Sequence, residues 1–171
     1  LIEQVVDLNN GIYIDEDLEN AKPSDFCIGV AGYPEKHYAA PNMQTDMKYL
    51  KLKQDKGGHY IVTQMFFDNQ CYLDFVKQCR EAGITLPIIP GLKPITSQKQ
   101  LTILPQLFHV DLPMELSKAV EECNSKEEVV QVGIEWTIQQ SKELMEFGVP
   151  SLHYYSMGKS ASVYEVAKEL F

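Results

Sequence analysis

The sequence predicts an α/β fold: about four parallel strands with flanking helices, making half of a (β/α)8 TIM barrel. Three observations carry this. Short strand-like runs recur at residues 26–31, 60–64, 86–90 and 151–155, and each breaks into a loop rich in Gly, Pro or polar residues. Each run is followed by a segment of helical periodicity, the alternation of βα units in a parallel sheet. The polar residues gather just past the strand ends, where such sheets carry their chemistry. Four βα units preceded by a helix make half of an eight-fold barrel, which takes about 250 residues in full. The expectation is a single partial domain over residues 1–171, without the other half of the barrel.

The elements follow in order. Residues 1–8 read as the end of an amphipathic helix, stopped by Asn9-Asn10-Gly11, which tolerate positive φ. The chain opens without Met, and it reads as a piece whose N-terminal part is missing. Residues 12–25 are polar, carry Pro23 and form a loop before the first strand. Asn42 is placed to cap a helix reaching Lys56, with Met43, Met47, Leu50 and Gln54 on one face and Gly57-Gly58 as its stop. After the second strand, Asp68 and Asn69 open a helix to Ala82, with Asn69 as a cap, Tyr72, Val76 and Cys79 stacked at helical spacing, and Gly83 beyond. A helix over residues 97–108 carries Pro105 near its end, and residues 113–123 form another. Ser125-Lys126-Glu127-Glu128 fits the S-x-x-E capping box of a long helix over residues 125–147, with Val130, Ile134, Ile138, Trp136 and Leu144 on a wide apolar side. Gly148 caps its far end, and residues 161–170 form the last helix.

Composition narrows the function classes. The chain is 44% apolar and 23% charged, ordinary for a globular domain, with 24 acidic against 15 basic residues and a net charge of −9. That balance, without a Lys/Arg cluster, argues against nucleic acid and acidic lipid as partners. No apolar run approaches the roughly 18 residues of a membrane span, and the first residues lack the basic start and cleavage site of a signal peptide. Cys27, Cys71, Cys79 and Cys123 form no C-x-x-C pair and the His residues are scattered, which argues against zinc. The cysteines read as small buried hydrophobes, and the setting as reduced and cytoplasmic.

Several residues stand where chemistry is expected. Tyr33 and His37 follow the first strand, an aromatic ring and an imidazole that suit a planar or phosphorylated ligand; from spacing alone, a Tyr packed on a Pro-bent loop and a solvated His are favoured. Asp46 and Lys53 are two helical turns apart on one side of a helix, placed for a ligand's hydroxyl and phosphate, although Lys48, Lys51, Lys53 and Lys56 also read as a solvated face. Gln64 closes an apolar strand with an amide that supplies both a donor and an acceptor, the pair that grips the edge of a heterocycle; a simple loop cap is the alternative. Gly91 is a turn glycine that also permits close backbone approach. Tyr155 and Lys159 follow the last strand, where barrel enzymes place groups for anions, and Lys159 precedes a helix N-terminus. No G-x-G-x-x-G, P-loop, G-x-S-x-G or H-E-x-x-H sequence is present.

Taken together, Ala31-Gly32-Tyr33-Pro34-Glu35-x-His37, Asp46, Lys53, Thr63-Gln64-x-Phe66-Phe67, Ile89-Pro90-Gly91-x-x-Pro94 and Leu152-His153-Tyr154-Tyr155 resemble one family. It is the methylenetetrahydrofolate reductases, flavoproteins built on a (β/α)8 barrel, and the whole chain is similar to the C-terminal half of their catalytic barrel. The resemblance implies that Tyr33, His37, Tyr38, Ala39, Ala40, Asp46 and Lys53 bind FAD. It implies that Gln64 meets both the folate ring system and the nicotinamide donor, and that Tyr155 and Lys159 contact substrate. Two stretches depart from the family pattern. Tyr38-Ala39-Ala40 replaces the usual Pro-Glu-Ala, and Gly158-Lys159 replaces Asn-Arg, where Lys keeps the charge without the bidentate fork.

The implied reaction is ping-pong hydride transfer: NAD(P)H reduces FAD and leaves, and the flavin then reduces 5,10-methylenetetrahydrofolate to the 5-methyl form. The family's proton-donating Glu and the acidic residue beside its flavin ring belong to the barrel's first half, so no catalytic residue is assigned here and the chain alone is expected to be inactive. The expected partners are folate and NAD(P)H, with a homo-oligomer or the missing half of the barrel closing the sheet edges. Two other classes stay open: a non-reductase barrel partner in one-carbon or methyl transfer, which co-purified yellow flavin argues against, and an inactive fragment.

Overall fold

The computed structural model describes residues 1–15 and 17–171. Its centre is a four-stranded sheet of β1 (Gly29–Gly32), β2 (Tyr60–Met65), β3 (Ile88–Leu92) and β4 (His153–Tyr154), in the spatial order β1-β2-β3-β4. Every neighbouring pair is parallel, in the register Gly29↔Tyr60, Ile61↔Ile88 and Gly91↔His153. Parallel neighbours in chain order need a crossover each. Helices α2 (Met43–Asp55) and α3 (Asn69–Glu81) supply the first two, and α4 (Gln100–Phe108), α5 (Met114–Glu121) and α6 (Lys126–Phe147) together supply the third. Helix α1 (Ile2–Asn9) precedes the sheet and α7 (Ala161–Leu170) ends the chain. The expected half-barrel topology is what the chain adopts.

Alternation along the strands separates two faces. Val30, Ile61, Ile88 and Leu92 turn toward the helices and join Leu50, Phe75, Cys79 and Leu144 in one core. A fully buried ring such as Phe75 contributes on the order of 1.5–3 kcal/mol there. Beyond the strand ends, Met65, Phe67 and Ile95 pack with Leu104, Leu116, Val120 and Val129 in a second core under α4, α5 and α6. The opposite sheet face, with Gly29, Ala31, Tyr60, Val62, Gln64 and Ile89, stays exposed or half-buried. This is the concave side, the interior of a closed barrel.

Several boundaries differ from the sequence expectation for identifiable reasons. The first strand starts at Gly29, and Phe26 is 52% exposed. The Asn9 amide binds both backbone groups of Phe26, and the ring nitrogen of His59 accepts the Ile28 N–H, so side chains replace a strand neighbour there. Cys27 is correspondingly exposed, not a buried hydrophobe; Cys79 is buried, and Cys71 and Cys123 are partly so. The third strand runs two residues later than expected, and the fourth is confined to His153–Tyr154. Asp68, not Asn69, caps α3 by accepting the Gln70 N–H at 2.9 Å, while Asn69 reaches across to Gln140 and Glu143 on α6. Residues 97–99 form a turn rather than helix, and α5 is shorter at both ends than residues 113–123.

The caps at Asn42 and Ser125 form as expected, each side chain accepting an N–H three residues on. The capping box is displaced by one: Glu128 accepts the N–H of Asn124 instead of that of Ser125. Helix α6 buries part of the expected apolar side together with polar residues. Ile134 and Leu144 of that side are buried with Val129, Gly133, Thr137, Gln140 and Ser141, whereas Val130, Trp136 and Ile138 are only half-buried. Gly133 explains the choice, because a Cβ there would lie 1.9 Å from the Ile95 carbonyl oxygen.

Candidate functional site

The loop after β1 is held by its own side chains. Lys36 takes a positive φ of 76° and its ammonium donates to the carbonyls of His37 (3.0 Å) and Ala40 (2.7 Å). Asp46, in the first turn of α2, accepts the His37 N–H at 2.8 Å although it is only 7% exposed. The helix N-terminus favours a carboxylate at that place. Two turns along, Lys53 leans back over the sheet edge and donates to the Ala31 carbonyl at 2.8 Å, with its Nζ 5.7 Å from the centre of the Tyr33 ring. The Tyr33 and His37 rings meet edge to face at 4.5 Å.

These groups border one cavity of about 720 Å³, lined by Tyr33, His37, Ala39, Ala40, Asp46 and Lys53, with Leu1, Ile2 and Glu3 of the N-terminal region on its other side. Burial lowers the pKa of the Lys53 ammonium, an effect the nearby Asp46 charge opposes. Burial raises that of the Tyr33 phenol, and Asp46 adds to it. The lysines of α2 therefore divide. Lys48 is exposed, Lys51 pairs with Asp55 and Lys56 with Glu3, while Lys53 alone of these four combines a sheet-edge contact with half-burial.

Tyr38 lies apart from that cavity lining. It is 67% exposed and stacks on His109, the left-handed residue that ends α4, with centroids 5.0 Å apart and planes 22° apart. Next to it, Glu35 accepts the Asp111 N–H at 3.0 Å. Burial, reinforced by the Asp111 and Asp68 charges, raises the Glu35 carboxyl to about 7. The loop is thus clamped from both sides, on one by Asp46 and on the other by the chain after α4. No local signal in the sequence announces the second clamp, since Glu35 and Asp111 are 76 residues apart.

At the carboxyl ends of the central strands, a bulge falls between Val62 and Met65 of β2. Thr63 Oγ1 accepts the Gly91 N–H at 2.9 Å, and the Tyr155 hydroxyl donates to the Thr63 carbonyl at 2.9 Å. The Tyr155 ring lies over Gly91, where a Cβ would approach it to 2.6 Å, and meets His153 edge to face at 4.6 Å. Gln64 stands half-buried on the concave face, its Oε1 accepting the Met65 N–H at 3.0 Å, so one end of the amide steadies the bulge. Burial raises the pKa of the Tyr155 phenol, and the Tyr33 phenol adds to it. Lys159 is exposed on the turn before α7, its N–H bound to the Ser156 carbonyl, and no hydrogen bond or ion pair among the described residues joins it to Gln64 or Tyr155.

Among the described residues no helix is long and apolar enough to cross a membrane. A parallel α/β sheet with its cavity and polar side chains at the strands' carboxyl ends belongs to the barrel class, of which four strands are present. The comparisons name the family. The family model for methylenetetrahydrofolate reductase matches residues 13–171. A Caenorhabditis elegans protein described as a probable methylenetetrahydrofolate reductase (NADPH) is 37% identical over 147 residues, covering 85% of this chain and 22% of its own length. The 5,10-methylenetetrahydrofolate reductase of Salmonella typhimurium is 34% identical over 148 residues, covering 86% of this chain and 50% of its own. A solved structure of an uncharacterized Clostridium thermocellum protein that binds two copies of 5-methyl-5,6,7,8-tetrahydrofolic acid shares the fold, with a TM-score of 0.55 at 20% identity, over 84% of this chain and 52% of that one. The chain belongs to the methylenetetrahydrofolate reductase family. It spans half or less of the length of these relatives.

Proposed function

We propose that this chain supplies part of the FAD site and part of the folate site of an enzyme that reduces 5,10-methylenetetrahydrofolate to 5-methyltetrahydrofolate with NAD(P)H. The observation that supports it most is the shared cavity of Tyr33, His37, Asp46 and Lys53, residues of one loop and the helix after it that family resemblance links to the flavin. The residues present fit such a group. The Lys53 cation, one buried carboxylate, the Tyr33–His37 ring pair and the small side chains of Ala39 and Ala40 border a single space, with Lys56 there already paired to Glu3. Hydride transfer between the nicotinamide and the folate is the chemistry that a flavin held there would supply.

The chain's own residues do the rest. Lys53 offers a positive charge to the cofactor's anionic oxygens, and its Ala31 contact fixes where that charge stands. Asp46 holds the loop through the His37 N–H, and its charge works against the burial that lowers the Lys53 pKa. Gln64 and Tyr155 orient the planar ligand at the mouth, and restricting its pose accounts for much of the rate such a site gives. Lys159 serves the folate's carboxylates from the rim. The sheet's two open edges call for the rest of the barrel, or a second copy, to cover them.

Flavin titration of the full-length protein tests the reading. Lys53→Ala should weaken flavin affinity by roughly ten- to a hundred-fold, the effect of losing a hydrogen bond to a charged group worth about 1.5–3 kcal/mol. Unchanged affinity would make Lys53 a structural tether of β1 only. A colourless protein that takes up no FAD would favour the alternative, a one-carbon transfer partner without reductase activity.

A further inference from the structure

Lys93 is a nearly buried lysine just past the third strand. It follows β3 inside an otherwise apolar run, Ile88 to Ile95, and only 6% of it is exposed. Its neighbours Leu92 and Ile95 point into the two helix-side cores. Lys93 is the first residue past β3; continuing the strand's alternation by one residue puts it on the side of Gly91, which lies under the Tyr155 ring.

The contrast with Lys53 is informative. Lys53 has the Ala31 carbonyl and the Asp46 charge beside it. Lys93 has no hydrogen bond or ion pair among the described residues, and its pKa is lowered by burial with no carboxylate acting against it. Yet no fully sealed side-chain nitrogen or oxygen among the described residues lacks a partner. The Lys93 ammonium is therefore not completely sealed, although the residue as a whole is nearly buried. A buried cation without a counter-charge is costly, and an acceptor oxygen arriving with a ligand offsets that cost.

We infer that Lys93 is a further ligand-contacting residue of the Gln64–Tyr155 mouth, its ammonium donating to a carboxylate or ring-carbonyl oxygen of a reduced folate. The inference rests on the folate reading above. The ammonium would add to that mouth a positive charge that neither Gln64 nor Tyr155 supplies.

The test uses the full-length protein with 5-methyltetrahydrofolate, a tetrahydropterin lacking the p-aminobenzoylglutamate, and NADH as probes. Lys93→Met, which keeps the apolar stem, should lower folate affinity tenfold or more while thermal stability holds or rises. Lys93→Arg should recover most of the affinity. Loss seen with the tetrahydropterin too would assign the ring carbonyl; loss confined to the intact folate would assign the carboxylates. Equal folate affinity in wild type and Lys93→Met would overturn the inference while leaving the folate reading intact, as would loss of NADH binding alone. A wild-type protein that binds flavin but none of the three probes would overturn both. Should Lys93→Met not fold, Lys93→Gln gives the same comparison.

Discussion

Gly91→Ala is the sharpest single probe of how the fold holds the site. A Cβ at Gly91 would lie 2.3 Å from the Thr63 carbonyl oxygen and 2.6 Å from Cε2 of Tyr155. The first obstacle is backbone in the neighbouring strand, so β2 and β3 must separate at the bulge. The second is a ring whose hydroxyl is bound to that same carbonyl at 2.9 Å. Overpacking of this kind costs about 1–3 kcal/mol, and the strained Tyr155 bond adds about 1 kcal/mol. At 2–4 °C per kcal/mol for a domain of this size, the melting temperature should fall by roughly 5–15 °C. Gly29→Ala is the matched control. There a Cβ meets only the outer end of the Tyr60 side chain, at 2.5 Å, on the open concave face where a ring has room to swing. Differential scanning calorimetry of both variants in the full-length protein, paired with folate titration, reads the two effects. If Gly91→Ala melts no lower than Gly29→Ala and binds folate as well as wild type, the close approach of β2, β3 and Tyr155 does not hold the mouth.

Other perturbations separate the remaining contributions. The Glu35 carboxyl is raised to about 7 from an ordinary value near 4.5, so the folded state holds its proton more tightly than the unfolded one. That stability is fully present below pH 4.5 and is lost as the pH rises through 7; the shift sets an upper bound of about 3 kcal/mol, which solvent screening at a half-buried group reduces to about 1 kcal/mol. Glu35→Gln should flatten this part of the pH–stability curve measured by urea unfolding, and an unaltered slope would assign it elsewhere. Ser125→Ala should destabilise by about 1 kcal/mol through loss of the α6 cap, read as a lower urea midpoint at constant m-value. Gln64→Ala should slow the folate half-reaction and weaken nicotinamide binding, since leaving a ligand's polar edge unpaired costs about 1–3 kcal/mol; stopped-flow traces at wild-type rates and affinities would reduce Gln64 to a cap on its strand.

The architecture was legible because each level of the sequence agreed with the next. Four strand runs, the Asn42 and Ser125 caps and the helical spacing of Tyr72 and Cys79 all point to one parallel sheet. What escaped was whatever depends on a distant partner. Phe26 reads as strand from its apolar surroundings, but its backbone is bound by the Asn9 amide, and no periodicity encodes that contact. The buried stripe of α6 carries Thr137, Gln140 and Ser141, which pattern reading assigns to water. Their partners make burial tolerable: Thr137 donates to the Gly133 carbonyl, Ser141 to the Thr137 carbonyl, and Gln140 to the Asn69 side chain.

The site divides along the same line. Tyr33, His37, Asp46 and Lys53 fall within 21 residues, and helical periodicity alone brings the last two to one side. A local rule therefore suffices to suspect them as a group. Gln64, Lys93 and Tyr155 come from three different strands or their ends, and only the parallel register sets them on one rim. Lys93 did carry a signal: a lone lysine in the apolar run between Ile88 and Ile95 has no solvent face to occupy. Other lysines of the chain reach a carboxylate or a carbonyl, whereas the nearly buried Lys93 has neither among the described residues, which is why a ligand oxygen is the partner proposed for it. That partner is what the folate titration of Lys93→Met is designed to reveal.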